Sequence, residues 1–394
     1  MGMTPKEHTA YRLQLIRDAA GFQKKPERVP NISFFVTWKI LDAGYKLTEA
    51  MNDYAIMEKV VRRHMELYRF DQVFDVGVRN PYRVSQAMKS SSYIINDEAE
   101  VVSYRDFSYC KPEETDQFAA DYYKYLWEVG MPRKFSWWGK DAELSTIQNA
   151  YNEQNRYFQF SYHMRQVLRD ELGIPFNGAP NPYAAISMEN VLAYVFGMRG
   201  VAVMMRRDKA KLHAVLDALD EHFFTPQLEQ LKQIQGPNPD YCFDYIAAVL
   251  AHNFMSPAQW EEFYWPYLKK VLDVLAEKKC NCVLFMEGSM LRFADFFRSY
   301  PKGLITLLPE QDDVFELRKA LPNIAILGGM KNSLLGRGTK RECLDLAKRL
   351  LDELGAEGGY LFSQDKMGSY RNDANPENLK AVCDFVLDYR PSQN

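Results

Sequence analysis

From about residue 280 onward the chain alternates between two periods, and this limits the folds open to it more than any other feature. Cys282-Val-Leu-Phe-Met286, Gly303-Leu-Ile-Thr-Leu-Leu308, Ile324-Ala-Ile-Leu327 and Gly359-Tyr-Leu-Phe-Ser363 are short apolar runs that read as buried strands. Helical patterns lie between and after them, over Phe293 to Ser299, Asp312 to Leu321, and from the capping box Thr339-Lys-Arg-Glu342 to Gly355. Asn375-Pro376 starts a last helix. Strands that are apolar on both faces and separated by helices belong to a parallel sheet, because a parallel crossover needs a long connection.

The upstream half is less regular but carries the same units. Strand-like runs fall near residues 34, 73, 175 and 242. Thr48 is placed to cap a helix running to Tyr68, whose buried stripe is Tyr54, Met57, Val61, Met65 and Tyr68. Further helices are expected over Thr115 to Glu128, Ser187 to Phe196, Asp208 to Leu231, and from Ser256-Pro257-Ala-Gln259. Eight strand–helix units without a clean linker predict an α/β fold, a (β/α)8 TIM barrel, as one domain over 1–394. A doubly wound open sheet is the alternative. Residues 1–30 read as an N-terminal helical arm. An insertion near 131–160, with Trp137-Trp138-Gly139 followed by an Asn- and Gln-rich stretch, is expected to cover a pocket.

Bulk properties narrow the function. The net charge is −3, with no basic block, which argues against nucleic acid as a partner. No apolar run approaches the roughly 20 residues that a bilayer span needs, and the polar N-terminus has no signal-peptide core, so a cytoplasmic protein without a membrane partner is expected. The six cysteines are scattered; Cys280 and Cys282 share a strand face and read as reduced core thiols.

In a barrel, chemistry lies at the C-terminal ends of the strands. The polar residues assigned to those ends are Trp38-Lys39, Asp75, Asn177, Asp244, Glu287, Lys331 and Asp365-Lys366. The run ending Phe285-Met286-Glu287-Gly288 delivers a lone acid to its end. Glu287 and Lys366 are expected across one pocket, as an ion pair or as acid/base machinery. Phe34, Trp38, Tyr183, Phe285 and Phe362, with Trp137 and Trp138, would give that pocket aromatic walls. His64, His163, His213 and His222 read as structural or surface residues, whereas His252 lies in a loop after a strand.

Several motifs in the last third carry a family resemblance: Phe263-Tyr-Trp-Pro-Tyr267, Gly328-Gly-Met-Lys-Asn-Ser-Leu-Leu-Gly-Arg-Gly-Thr339, Leu354-Gly-Ala-Glu-Gly-Gly-Tyr-Leu361 and Asn375-Pro-Glu-Asn-Leu379. The segment from Ser256 to the C-terminus resembles the uroporphyrinogen decarboxylase superfamily, and is closer to its corrinoid-dependent methyltransferase branch. The resemblance implies a TIM barrel. True decarboxylases hold a polycarboxylate with an arginine-rich loop after the first strand; the loop here, Thr37 to Tyr45, has one lysine and no arginine. The thiol methyltransferases bind zinc through His-x-Cys and a later Cys, where Phe285, Glu287 and Lys366 stand in this chain. The usual zinc ligands are therefore absent, with Glu287 and His252 as a weaker alternative metal pair. The resemblance implies a methyltransferase of the O-demethylation type, moving a methyl group from a small donor such as an aryl methyl ether to a corrinoid protein. The cobalamin would come on that partner, with no cofactor bound tightly by this chain. Glu287, Lys366 and Asp365 are the expected catalytic residues. Trp38, Asp75, Tyr183, Asp244, His252, Phe285, Lys331 and Gln364 are the expected substrate-binding ones. The alternatives are a decarboxylase or lyase of tetrapyrrole metabolism and a non-catalytic barrel binding a tetrapyrrole or corrinoid; a homodimer is left open.

Overall fold

Strands form at all eight expected positions in the computed structural model, which describes residues 2–23, 26–76, 81–140, 143–178 and 186–390. They are β1 (Ile32–Ser33), β2 (Gln72–Val73), β5 (Phe176–Gly178), β6 and β7 (Tyr241–Phe243 and Tyr245–Val249), β8 (Cys282–Met286), β9 (Ile305–Pro309), β10 (Ala325–Met330) and β11 (Tyr360–Gln364). A separate antiparallel hairpin joins β3 (Tyr93–Asn96) to β4 (Val101–Tyr104). The other pairings are parallel. The largest sheet has five strands in the order β11-β10-β9-β8-β7, while β1 pairs with β2 and β5 with β6. Isolated bridges from Asn31 to Phe362 and from Phe35 to Gly368 tie the β1 segment to the β11 side. Among the described residues no ladder closes these strands into an eight-stranded cylinder. The observed architecture is an α/β fold of one five-stranded parallel sheet and smaller two-stranded ones.

The parallel strands are buried on both faces, and the two-residue period of a strand sorts their side chains. Val283, Phe285, Leu308, Ala325, Leu327 and Leu361 join Ile32 and Phe34 in a small apolar cluster between the strands. Their neighbours Cys282, Leu284, Met286, Ile305, Leu307, Ile326, Tyr360 and Phe362 face the helices and join the main core. The N-terminal arm is a helix over Pro5–Gly21, opened by a capping box between Thr4 and Glu7. Its Ile16, Ala19 and Ala20 enter the inner cluster, so this helix seals one end of the strand interior.

A buried ion pair fixes the arm's exit. Both Asp71 oxygens accept from the Arg28 guanidinium at 2.6 Å, and Asp71 also accepts from the Asn31 backbone N–H at 2.8 Å.

Three local expectations change. The helix assigned to Thr48 through Tyr68 is two helices, Leu47–Asn52 and Tyr54–Tyr68. Asp53 caps the second, accepting from the Ala55 and Ile56 N–H groups, and Thr48 instead donates its N–H to Asp97. The Asn- and Gln-rich stretch after Trp138 is the first half of a helix over Glu143–Asp170. Its buried positions are spread thinly (Thr146, Ala150, Phe160, Met164), which is why the pattern reads as polar. The helix after β9 is capped by Asp313 rather than Asp312, and Asp312 is used elsewhere.

Candidate functional site

Extending the strand alternation past the strand ends places Glu287, Glu310, Lys331 and Asp365 on the inward side of β8, β9, β10 and β11. The electrostatics agree. The Lys331 ammonium lies 3.7 Å from the Asp365 carboxylate. Burial raises the Asp365 pKa, nearby Glu310 adds to the rise, and Lys331 and Lys366 oppose it. Asp365 also accepts from the Asn332 N–H at 3.0 Å, and the Lys366 carbonyl accepts from the Asn332 side chain at 3.3 Å. The last strand ends thus hold a half-sheltered cluster of mixed charge.

Glu287 turns into the site where β8 stops. Its backbone N–H donates to Val249 at 3.3 Å, continuing the ladder by one residue. Gly288 then takes φ +77 with its Cα against the Asn253 side chain; a Cβ there would lie 2.0 Å from Asn253 Oδ1. The loop beyond is held from below. Glu310 accepts from the Gly288 N–H at 2.7 Å. Asp312 accepts from Ser289 Oγ and the Met290 N–H, each at 2.6 Å, and from the Leu291 N–H at 3.2 Å. Replacing Asp312 by Ala removes the acceptor from two sheltered N–H groups, so a loss of about 2–4 kcal/mol is expected in urea unfolding, with Asp312→Asn recovering part of it. Unchanged stability of Asp312→Ala would show that this loop is held by other contacts.

The residue that most alters the site is Glu189, on the short helix Ser187–Asn190. Its Oε1 accepts three hydrogen bonds, from the Leu250 N–H at 2.8 Å, the Ala251 N–H at 3.0 Å and the Tyr264 hydroxyl at 2.9 Å. These bonds favour the carboxylate, yet burial outweighs them and the Glu287 charge adds to the burial. Although Glu189 keeps some surface exposure, its crowded carboxyl is pushed up to about 7. Two carboxyl groups from distant segments therefore share one environment, with one of them titrating near neutrality.

His252 lies beside this pair, fully buried against Trp260 and Phe293. Neither ring nitrogen has a hydrogen-bond partner of normal geometry. Burial, reinforced by the Arg292 charge, lowers its pKa to about 4, so the ring is neutral at neutral pH. The Arg292 guanidinium donates to the His252 carbonyl at 2.8 Å.

The other expected residues fall in different places. Phe285 is inward-facing, in edge contact with Phe34 at 5.3 Å. Asp75 lies beside the fully buried Lys39, whose ammonium donates to the Phe35 carbonyl at 2.8 Å and the Asp75 carbonyl at 3.0 Å. Burial lowers the Lys39 pKa, with Asp75 opposing. Trp38 is a core residue rather than a pocket wall: its indole donates to the Ala374 carbonyl at 3.1 Å and it packs on Phe35 and Tyr68. Gln364 is also structural, with Oε1 accepting from the Phe34 N–H at 2.8 Å.

Asp244 is at the wrong end of its strand. It kinks the chain between β6 and β7, and Tyr245 pairs with Cys282 at the start of β8. Asp244 is level with Asn281, and the five residues of β8 separate that level from Glu287, roughly 20 Å at strand rise. Its carboxylate is used by the Asn238 and Asn281 N–H groups, at 2.7 and 2.9 Å. An acid inside an apolar run reads as a strand end, whereas here it marks a bend. Tyr183 lies outside the described residues. Lys366 adjoins the Asp365 cluster, and the charge that reaches Glu189 is that of Glu287.

Glu310 was legible by the rule that finds Glu287, since Leu308-Pro309-Glu310 is also an apolar run ending in an acid. Glu189 carries no such signal. Among the described residues no three His, Cys, Asp or Glu side chains group as a metal ion would need. Phe285 offers no ligand atom, Lys366 is a poor one, and burial raises the thiols of Cys280 and Cys282. Among the described residues, those standing at the expected zinc positions do not fit the ion.

These features define an α/β protein with acids and lysines gathered where its parallel strands end. The chain belongs to the uroporphyrinogen decarboxylase (URO-D) family, whose model matches residues 140–389. No curated protein matches it. Among solved structures it is similar in fold to a methyltransferase from Methanosarcina mazei, at 15% identity and a TM-score of 0.57, covering 98% of this chain and 99% of that one. Among the described residues no helix is long and apolar enough to cross a membrane.

Proposed function

We propose that this chain is the substrate-side methyltransferase of a corrinoid-linked system, taking a methyl group from a small donor such as an aryl methyl ether. The observation that carries this reading is the coupled pair Glu189–Glu287, one member of which titrates at about 7. When a methyl group leaves an oxygen, that oxygen gains charge and needs a proton or a cation. A carboxyl group still protonated near neutral pH can supply the proton. Glu189 Oε1 is occupied by three donors, so Oε2 is left to carry it. Glu287 keeps that proton in place by disfavouring a second negative charge. Lys331, held near Asp365, and Lys366 add positive charge across the mouth. The reduced corrinoid of a partner protein would serve as methyl acceptor. The fold likeness to a methyltransferase of almost the same span is in keeping with this class of reaction. We read the parallel strands as staves of one eight-stranded barrel in a single domain.

A second reading, a cofactor-free decarboxylase or lyase on a smaller acid, is favoured by the family match and by the two lysines, which could stabilise a developing carbanion. One assay separates the two. The folded protein is incubated with reduced corrinoid protein and a panel of methoxylated aromatics, and methyl-cobalt formation and carbon dioxide release are followed together. Methyl-cobalt that depends on the donor, and falls in Glu287→Gln and Lys366→Met, is the expected result. No methyl-cobalt with any donor, or full activity in both variants, overturns the proposal; carbon dioxide release instead supports the second reading.

A further inference from the structure

A cavity of about 240 Å³ lies between β2 and β5, the two neighbouring strand segments with no ladder between them among the described residues. Its walls are apolar where Val73, Phe74, Phe176 and Ile246 line it. Three polar side chains interrupt them: Gln72, Asn177 and Arg165.

Each of the three has unused bonding capacity. Gln72 is 1% exposed. Its amide nitrogen donates to the Val73 carbonyl at 2.6 Å, which fixes the orientation of the amide, since a flip would set two oxygens against each other. Gln72 Oε1 is then a buried acceptor without a donor, and Asn177 Oδ1 is another. Leaving such groups unpaired costs about 1–3 kcal/mol each. Arg165, on the long helix Glu143–Asp170, donates from Nη1 to the Gly178 carbonyl at 3.1 Å. Among the described residues no carboxylate forms an ion pair with it. Burial lowers its pKa, as for a cation sheltered without a counter-ion.

We propose that this cavity is a binding site for a small carboxylic acid bearing a hydroxyl or ammonium donor, with Arg165 taking the carboxylate and Gln72 accepting from the donor. The guanidinium fork matches a carboxylate and keeps its charge under burial. The fixed Gln72 oxygen asks for an O–H or N–H group, and the Phe74 and Phe176 rings accommodate a short apolar body. At about 30 Å³ per water-sized unit the volume suits a ligand of about eight non-hydrogen atoms. The site's three polar groups belong to β2, β5 and the long helix, and none of them takes part in the reaction proposed above.

Isothermal titration calorimetry on the full chain tests it with L-lactate, L-serine, propionate and lactamide. Saturable binding of lactate or serine is expected. Propionate, which lacks the donor, and lactamide, which lacks the charge, should each bind at least about tenfold more weakly. Arg165→Met should weaken lactate by a similar factor, and Gln72→Leu should remove the preference for lactate over propionate. No binding of any of the acids at millimolar concentration, or lactamide binding as well as lactate, overturns the proposal. The comparison of ligands on the unmodified chain decides even where a variant fails to fold.

Discussion

Glu189→Gln is expected to lower methyl transfer by about 10²- to 10⁴-fold, the usual contribution of a general acid. The substitution is nearly isosteric. Its Oε1 can keep the bonds from Leu250, Ala251 and Tyr264, so the fold should survive while the proton is lost. In the unmodified protein the protonated form is the active one, so activity should fall as pH rises through about 7. Glu287→Gln removes the neighbouring charge that raises Glu189, so this alkaline limb should move to lower pH.

The same shift has a stability signature of definite sign. The folded pKa of about 7 exceeds the ordinary value of 4.5, so folded Glu189 holds a proton that the unfolded chain releases between those values. The penalty is absent below about pH 4.5, grows up to about pH 7 and then levels at about 2–3 kcal/mol, allowing for partial exposure. Glu189→Gln should therefore be more stable than the unmodified chain above pH 7 and similar to it near pH 4.5. A purely structural Glu189 predicts a different outcome for turnover, with Glu189→Gln active at every pH; an unchanged pH dependence of unfolding in Glu189→Gln would show instead that the carboxyl is not raised in the folded chain.

Asp71→Ala is expected to produce the largest loss of stability, about 3–5 kcal/mol, because it strands a buried guanidinium. Arg28 is 6% exposed and Asp71 is fully buried. Arg28 bonds both Asp71 oxygens, the Asn31 N–H shares one of them, and Arg12 approaches the other at 3.5 Å. These contacts join the N-terminal arm to the starts of β1 and β2, so the damage should reach the sheet and not only the arm. Asp71→Asn, which keeps the shape but not the charge, should cost less than Asp71→Ala. Urea midpoints measure both, and a loss below about 1 kcal/mol for Asp71→Ala would mean that the arm is held by its apolar contacts alone.

Much of the fold follows from local rules. The runs at 282–286, 305–309 and 360–364 are strands because each is short, bounded by turn residues and mostly apolar, with Thr306, Ser363 and Gln364 the polar exceptions. Ser256, Thr339 and Asn375 start helices as their side chains require. The Thr48 helix misled for a local reason as well: Asp53 is the stronger cap, and the stripe from Tyr54 onward does not reveal where the helix begins. The pairing among strands was less legible. β1 and β2 have two residues each, too few to carry a period, and their place beside β11 rests on isolated bridges.

Sequence by itself determined where the strands and several of the capped helices lie, that Glu287 ends a buried strand, and which family the chain resembles. Each of these depends on residues a few positions apart. Tertiary structure alone decided that Glu189 faces Glu287, that Asp244 sits at the far end of β8, and that Trp38 and Gln364 serve the core. Period shows which face of a strand a side chain takes, but not which distant segment lies opposite or how much water reaches it. The elevated pKa of Glu189 arises from burial and from a charge brought close by the fold, and neither exists until the strand ends converge.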